Sequence, residues 1–147
     1  MKKLFLFASI VAILFSGCKK KDTEEVNPYV GKYKGTFTTI GQNDENTTKE
    51  STITISEGLG ENLKLNYVIT LTKLAEGRFE FDGGNNLEAE LLTLVLNLCG
   101  LNTDYFEGTI EKVTIDARFS DSALKMTITY QTDLGIAVTS TFNGTKQ

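Results

Sequence analysis

Few side chains in this sequence have the type and spacing to do chemistry. Its thiols are Cys18 and Cys99, Glu88 and Glu90 are carboxylates two residues apart, and Asp82-Gly83-Gly84-Asn85-Asn86 is rich in oxygen. The 147 residues include no histidine, so Ser/His and Cys/His nucleophilic pairs and the commonest metal ligand are all missing. On a helix Glu88 and Glu90 would not share a face, and they read better as favourable charges in a first helical turn. The run from Asp82 lacks the spaced acidic ligands of a calcium loop and reads as a turn. Cys99, in Leu96-Asn97-Leu98-Cys99-Gly100-Leu101, fits a small apolar core residue. No catalytic constellation, metal site or cofactor motif emerges, and the expected protein is not an enzyme. Cys18 stands apart because of what precedes it.

Lys2 and Lys3 are followed by thirteen uncharged residues, Leu4 to Ser16, and then by Gly17 and Cys18. A basic start and an apolar stretch form the pattern of a signal peptide. A thirteen-residue helix rises about 20 Å, less than the ~30 Å hydrocarbon core, so a permanent span fits less well than a cleaved signal helix. Phe15-Ser16-Gly17-Cys18 resembles the lipobox of bacterial lipoproteins, although Phe15 stands where an aliphatic residue is usual. The resemblance implies cleavage between Gly17 and Cys18, a diacylglycerol on the Cys18 thiol, and a mature protein anchored to a membrane without spanning it. Each buried CH₂ of an acyl chain contributes about 0.8 kcal/mol, so two or three chains hold such an anchor firmly.

Without residues 1–17, which carry two lysines and no acid, the balance is 13 basic against 19 acidic residues, or −6. An acidic domain has no electrostatic reason to seek nucleic acid. Residues 18–27 form a polar tether in which Lys19-Lys20-Lys21 is followed by Asp22-Thr23-Glu24-Glu25. Lysine followed by acidic residues behind the cysteine resembles lipoproteins of Bacteroidota, which implies the outer membrane, with the periplasmic or surface-exposed face left open.

Residues 28–147 suit one domain with one core, and with a single cysteine left there, packing rather than a disulfide must stabilise it. From Pro28 onward the pattern has period two. Tyr33, Gly35 and Phe37 predict a first strand, Gly41 to Asn46 a polar loop, and Ile53 and Ile55 a second strand. Leu63, Leu65, Tyr67, Ile69 and Leu71 predict one long strand with five inward positions. Phe79 and Phe81 form a short strand before the Asp82 turn. Phe106, Gly108 and Ile110 share one parity and Val113, Ile115, Ala117 and Phe119 the other, which predicts a bulge near Glu111-Lys112. Leu124 to Tyr130 and Ile136 to Phe142 complete an antiparallel meander.

The exception lies between Leu87 and Leu101. Leu87, Leu91, Leu94, Leu98 and Leu101 follow helical spacing, Asn86 can cap the start, and Gly100 can end the helix. The composition favours a short helix at 87–100, while alternating Leu92, Leu94, Leu96 and Leu98 leave a buried strand open. Such a helix is apolar nearly all round and must be covered, for which one end of the sheet is a suitable place.

An aromatic residue, any residue, Gly and Thr recur at Tyr33-Lys34-Gly35-Thr36, Phe106-Glu107-Gly108-Thr109 and Phe142-Asn143-Gly144-Thr145. Glycine within a strand marks a bend or a close backbone approach. Pairing of the first strand with the last would close the sheet into a barrel. With the acylated terminus and tether, Gly31 to Phe37 and Thr141 to Thr145 resemble the lipocalin-like (calycin-like) lipoproteins of Bacteroidota. The expected fold is therefore all-β, a small antiparallel meander barrel of about 7–8 strands with one short helix.

Two functional readings follow. In the first, the barrel binds a small apolar or amphipathic ligand against Leu65, Tyr67, Ile69, Phe79, Phe81, Met126 and Ile128, residues that equally suit a plain core. In the second, a filled barrel serves as an envelope accessory protein, docking through the loop Gly41 to Lys49 or through a sheet edge.

Overall fold

Alternating apolar residues bury one face of each strand, and a sheet with one apolar face must fold that face away from water. In the computed structural model, which describes residues 26–40, 46–83, 89–101 and 107–147, the sheet does so by closing on itself. Its elements are β1 (Gly31–Ile40), β2 (Asn46–Glu57), β3 (Leu63–Leu65), β4 (Ile69–Ala75), β5 (Arg78–Asp82), α1 (Ala89–Leu98), β6 (Ile110–Ser120), β7 (Ala123–Thr132) and β8 (Ala137–Lys146). Each strand pairs antiparallel with the next, and β1 pairs with β8, giving a closed eight-stranded barrel. The expected small all-β barrel with one short helix is thus what the chain forms. The signal segment, Gly17, Cys18, most of the tether, the Asn86 cap, Leu87 and Phe106 lie outside the described residues.

Closure depends on two of the repeated glycines. Gly35 and Gly144 face each other directly across the β1–β8 seam. A Cβ on Gly35 would stand 2.0 Å from the Asn143 carbonyl oxygen and 2.5 Å from Gly144 Cα, so the two backbones approach closer than any side chain allows. The expected bulge is present as a register shift between Ile110 and Lys112. It lets both Ile110 and Val113 point inward, at 4% and 0% exposure.

The expected long strand from Leu63 to Leu71 is not continuous. β3 ends at Leu65, the chain turns through Asn66, Tyr67 and Val68, and β4 starts at Ile69, with Leu65 opposite Ile69 and Leu63 opposite Leu71. Asn66 and Tyr67 hold φ of 46° and 65°, and Val68 N–H donates to the Leu65 carbonyl at 3.1 Å, the arrangement of a hairpin turn whose central residues are both left-handed. Asn66 tolerates that conformation and pins it. Its backbone N–H donates to the Thr54 carbonyl, its side-chain oxygen accepts from Thr54 N–H, and its amide donates to the Leu98 carbonyl.

The Leu-rich segment is a helix, as its composition favours, but it buries a different stripe from the one the spacing picks out. Leu92, Val95, Leu96 and Cys99 are buried, an i, i+3, i+4, i+7 face, whereas Leu91 and Leu94 are 42% and 47% exposed. Gly100, at φ 81°, ends the helix. Leu101 N–H donates to the Leu96 carbonyl and Gly100 N–H to the Asn97 carbonyl, the Schellman pattern, with Leu96 and Leu101 both buried beside it.

Candidate functional site

The residues expected to line a ligand chamber do not all come together. Leu65, Ile69, Phe79, Met126 and Ile128 point into the barrel at 0–3% exposure, and Phe81 is half-buried and packs against the same core. Tyr67 is a correction: it is 69% exposed at the tip of the β3–β4 turn. Residues 65 and 69 share parity, so a three-residue turn leaves the alternation of the sequence intact while moving residue 67 from the interior to the outside.

The end of the barrel reached by the tether is sealed by aromatic rings. Tyr29 packs on Phe119 and Phe79 with centroids 4.9 and 5.7 Å apart, Phe79 meets Phe119 at 5.5 Å edge-on, and Tyr33 meets Phe119 at 5.8 Å. Tyr33 hydroxyl donates to the Tyr29 carbonyl at 2.9 Å, Lys146 Nζ donates to the Pro28 carbonyl at 2.8 Å, and the Tyr29 hydroxyl donates to Glu76. That hydrogen bond, with Lys73 nearby, lowers the Glu76 carboxyl below its ordinary range. Midway along the barrel Phe37 and Phe142 meet at 5.0 Å.

The opposite end carries α1. Beyond its buried stripe the helix is fixed by polar contacts at its C-terminal end, where unpaired carbonyls gather negative charge. Asn66 donates to the Leu98 carbonyl and Lys49 Nζ to the Gly100 carbonyl at 2.8 Å. Beneath this end lies a hydroxyl cluster that the sequence pattern does not single out. Thr39 Oγ1 and Ser140 Oγ are 2.7 Å apart, and Ser140 and Thr132 are 0% and 1% exposed. Burial pushes the Tyr130 phenol above its ordinary value, with a hydrogen bond to Ser140 opposing that shift. Thr132 Oγ1 is buried without a hydrogen-bond partner. Threonines and serines at inward parity are the available signal, but they blend with strand-favouring residues of the wall.

The charged pairs are on the outer surface. Asp116 lies 3.0 Å from Arg118 and 3.4 Å from Arg78, which lowers its carboxyl, and Lys73 lies 2.8 Å from Glu61 and 3.6 Å from Glu76. Exposed pairs of this kind contribute about 0–1 kcal/mol each. Among the described residues no group of three His, Cys, Asp or Glu side chains could hold a metal ion, and no helix is long and apolar enough to cross a membrane. Glu90 sits in the first turn of α1, as its spacing suggests, whereas Glu88 lies outside the described residues.

Cys99 is 0% exposed under the helix, and burial pushes its thiol up to about 12. The unfolded thiol ionises near ~8.5. The folded state therefore holds a proton that the unfolded state gives up in alkali, and the contribution is full below ~8.5 and is lost as pH rises towards 12. Urea unfolding at pH 7.5 and 10.5 should show a fall in midpoint at the higher pH that is smaller in Cys99→Ala. A thiol reagent should react with Cys99 in native protein only at the rate of unfolding. Fast labelling of the native state would contradict the buried placement.

No family model matches this chain, and no curated protein or solved structure matches it either.

Proposed function

We propose that this chain is an envelope lipoprotein, anchored through Cys18 to the outer membrane, whose solid barrel serves as a docking module rather than as an enzyme or a ligand carrier. The observation that carries the docking reading is the state of the interior. A ligand-sized chamber would leave its wall uncovered by neighbouring atoms. Leu65, Met126 and Ile128 are at 0% exposure, Phe79 at 1% and Ile69 at 3%. Rings close one end of the barrel and α1 crosses the other, so what remains to meet a partner is the outer surface. The anchor rests on the run Lys2-Lys3, Leu4 to Ser16, Gly17 and Cys18.

A second reading, capture of a small amphipathic ligand beneath α1, is favoured by the hydroxyls of Thr39, Thr132 and Ser140, polar groups that with the Tyr130 phenol interrupt a largely apolar interior. Two measurements test the proposal. In a Gram-negative host, labelled palmitate should be incorporated by the wild-type chain and lost in Cys18→Ala, which should leave the membrane fraction; unchanged retention would refute the anchor. Native mass spectrometry of the membrane-extracted protein should show only the lipidated chain. A stoichiometric small molecule that disappears in Thr132→Val would replace the docking reading with the second one.

A further inference from the structure

The barrel is closed, yet among the described residues one stretch of its wall has no hydrogen-bonded neighbour on one side. β2 runs twelve residues from Asn46 to Glu57 and pairs along its whole length up to Ile55 with β1. On its other side β3 is only three residues long, and it pairs with Ile55, Ser56 and Glu57 alone. Thr54 is met by Asn66, which accepts its N–H and donates to its carbonyl. Among the described residues, nothing pairs with β2 on that side before Thr54.

Strand geometry then fixes which groups are open. The N–H and C=O of a residue in an antiparallel strand point to the same side, and successive residues alternate. Thr54 points towards β3, so Thr52, Glu50 and Thr48 present their backbone groups to the same unpaired side. Lys49, Ser51 and Ile53 use theirs on β1, opposite Phe37, Gly35 and Tyr33. Thr48, Glu50 and Thr52 are all exposed. The end of α1 is tied to this stretch by Lys49 Nζ on the Gly100 carbonyl, without supplying a strand.

We infer that the β2 edge from Thr48 to Thr52 is a docking site that takes an extended segment of a partner protein as an added strand. This rests on the reading of the barrel as a docking module and names where docking occurs. Donor and acceptor pairs repeat along the edge every ~7 Å, two residues at ~3.4 Å each, a spacing that an extended backbone matches. Charge decides the occupant. In the one antiparallel register that uses all three open residues, a second copy of this chain would set Glu50 opposite its own copy, and like charges directly opposite are unfavourable. A partner strand carrying a base opposite Glu50 and an acid opposite Lys49 meets both. Lys49, exposed on this edge strand, also discourages pairing with uncharged strands, which makes the edge selective.

The test uses the full chain in detergent and the acetylated, amidated peptide Thr-Val-Lys-Glu-Val-Thr, which in antiparallel register places its lysine on Glu50 and its glutamate on Lys49. Amide hydrogen exchange at Thr48, Glu50 and Thr52 should be fast in the free protein and slow at least tenfold with 1 mM peptide. The isomer with lysine and glutamate exchanged, and a peptide N-methylated at alternate residues, should protect these amides several-fold less. Glu50→Pro removes an N–H from the open side and none from the β1 ladder, so it should fold and lose the peptide response. If that variant does not fold, the N-methylated peptide carries the same discrimination. Slow exchange at all three amides without peptide would mean that the edge is already covered, and would overturn the inference. Protection that grows with protein concentration alone would mean a second copy, and would overturn the choice of occupant. No protection by the matched peptide would overturn the site while leaving the docking reading to the mass spectrum, where a bound small molecule would be its failure.

Discussion

Gly35→Ala should unfold or nearly unfold the barrel, whereas Gly144→Ala, directly across the same seam, should cost much less. Both add a single methyl group. On Gly35 that methyl meets backbone, with the Asn143 carbonyl oxygen at 2.0 Å, Gly144 Cα at 2.5 Å and the Asn143 carbonyl carbon at 2.7 Å, and none of these atoms can move without parting the strands. On Gly144 the nearest atoms are Cε1 and Cζ of the Phe142 ring at 2.4 and 2.5 Å, with the Lys34 carbonyl oxygen at 3.2 Å. A ring can turn, though Phe142 is 0% exposed and its rotation disturbs Phe37. Overpacking a core costs about 1–3 kcal/mol, a fair figure for Gly144→Ala. Parting β1 from β8 over the eight residue pairs from Tyr33 to Ile40 puts Gly35→Ala above ~4 kcal/mol, where a named backbone clash is the expected cause. Small domains hold about 5–15 kcal/mol in all, so the Gly35 variant should expose its core to a hydrophobic dye at room temperature. Denaturant midpoints for the two variants that agree within error would show that the seam is not as tight as these distances make it.

The glycine repeat is the most informative short motif, since it links the first and last strands through residue type alone. Its physical content is a constraint on backbone approach, and such constraints leave traces in residue type. The bulge between Ile110 and Lys112 is legible for a similar reason: inward residues change parity, and an extra residue is the cheapest way to restore it. The β3–β4 turn is not legible. Asn66-Tyr67-Val68 contains no glycine or proline, and a three-residue turn preserves period two on both sides. The left-handed Asn66 is held by contacts to Thr54 and Leu98, which are distant in sequence. The hydroxyls of Thr39, Thr132 and Ser140 are hidden by the frequency of threonine and serine throughout the strands. The open β2 edge is hidden by the same ambiguity at Tyr67, because a long strand from Leu63 to Leu71 would cover it.

The helix shows most clearly what composition can and cannot decide. Leucines at 91, 92, 94, 96, 98 and 101 satisfy more than one helical stripe, so sequence alone establishes that something must be covered but not which face is. The packed stripe is selected by the barrel rim, against which Leu92, Val95, Leu96 and Cys99 close. This makes Leu96→Asp and Leu94→Asp a sharp pair, two residues apart with the same chemical change. Leu96 is at 0% exposure, with no cation within the buried face to meet a carboxylate among the described core residues. An unpaired buried charge costs several kcal/mol even after its pKa adjusts, on top of about 2–5 kcal/mol for the lost leucine. Leu96→Asp should therefore leave little native protein at neutral pH and should regain stability as pH falls, because protonation removes the charge. Leu94 is 47% exposed, and Leu94→Asp should lower stability by about 1 kcal/mol or less. Circular dichroism melts at pH 4.5 and 7.5 read both effects. If Leu94→Asp proved the more damaging of the two, the buried stripe would be the one through Leu91, Leu94 and Leu98, and α1 would have to turn about its axis to present it to the barrel.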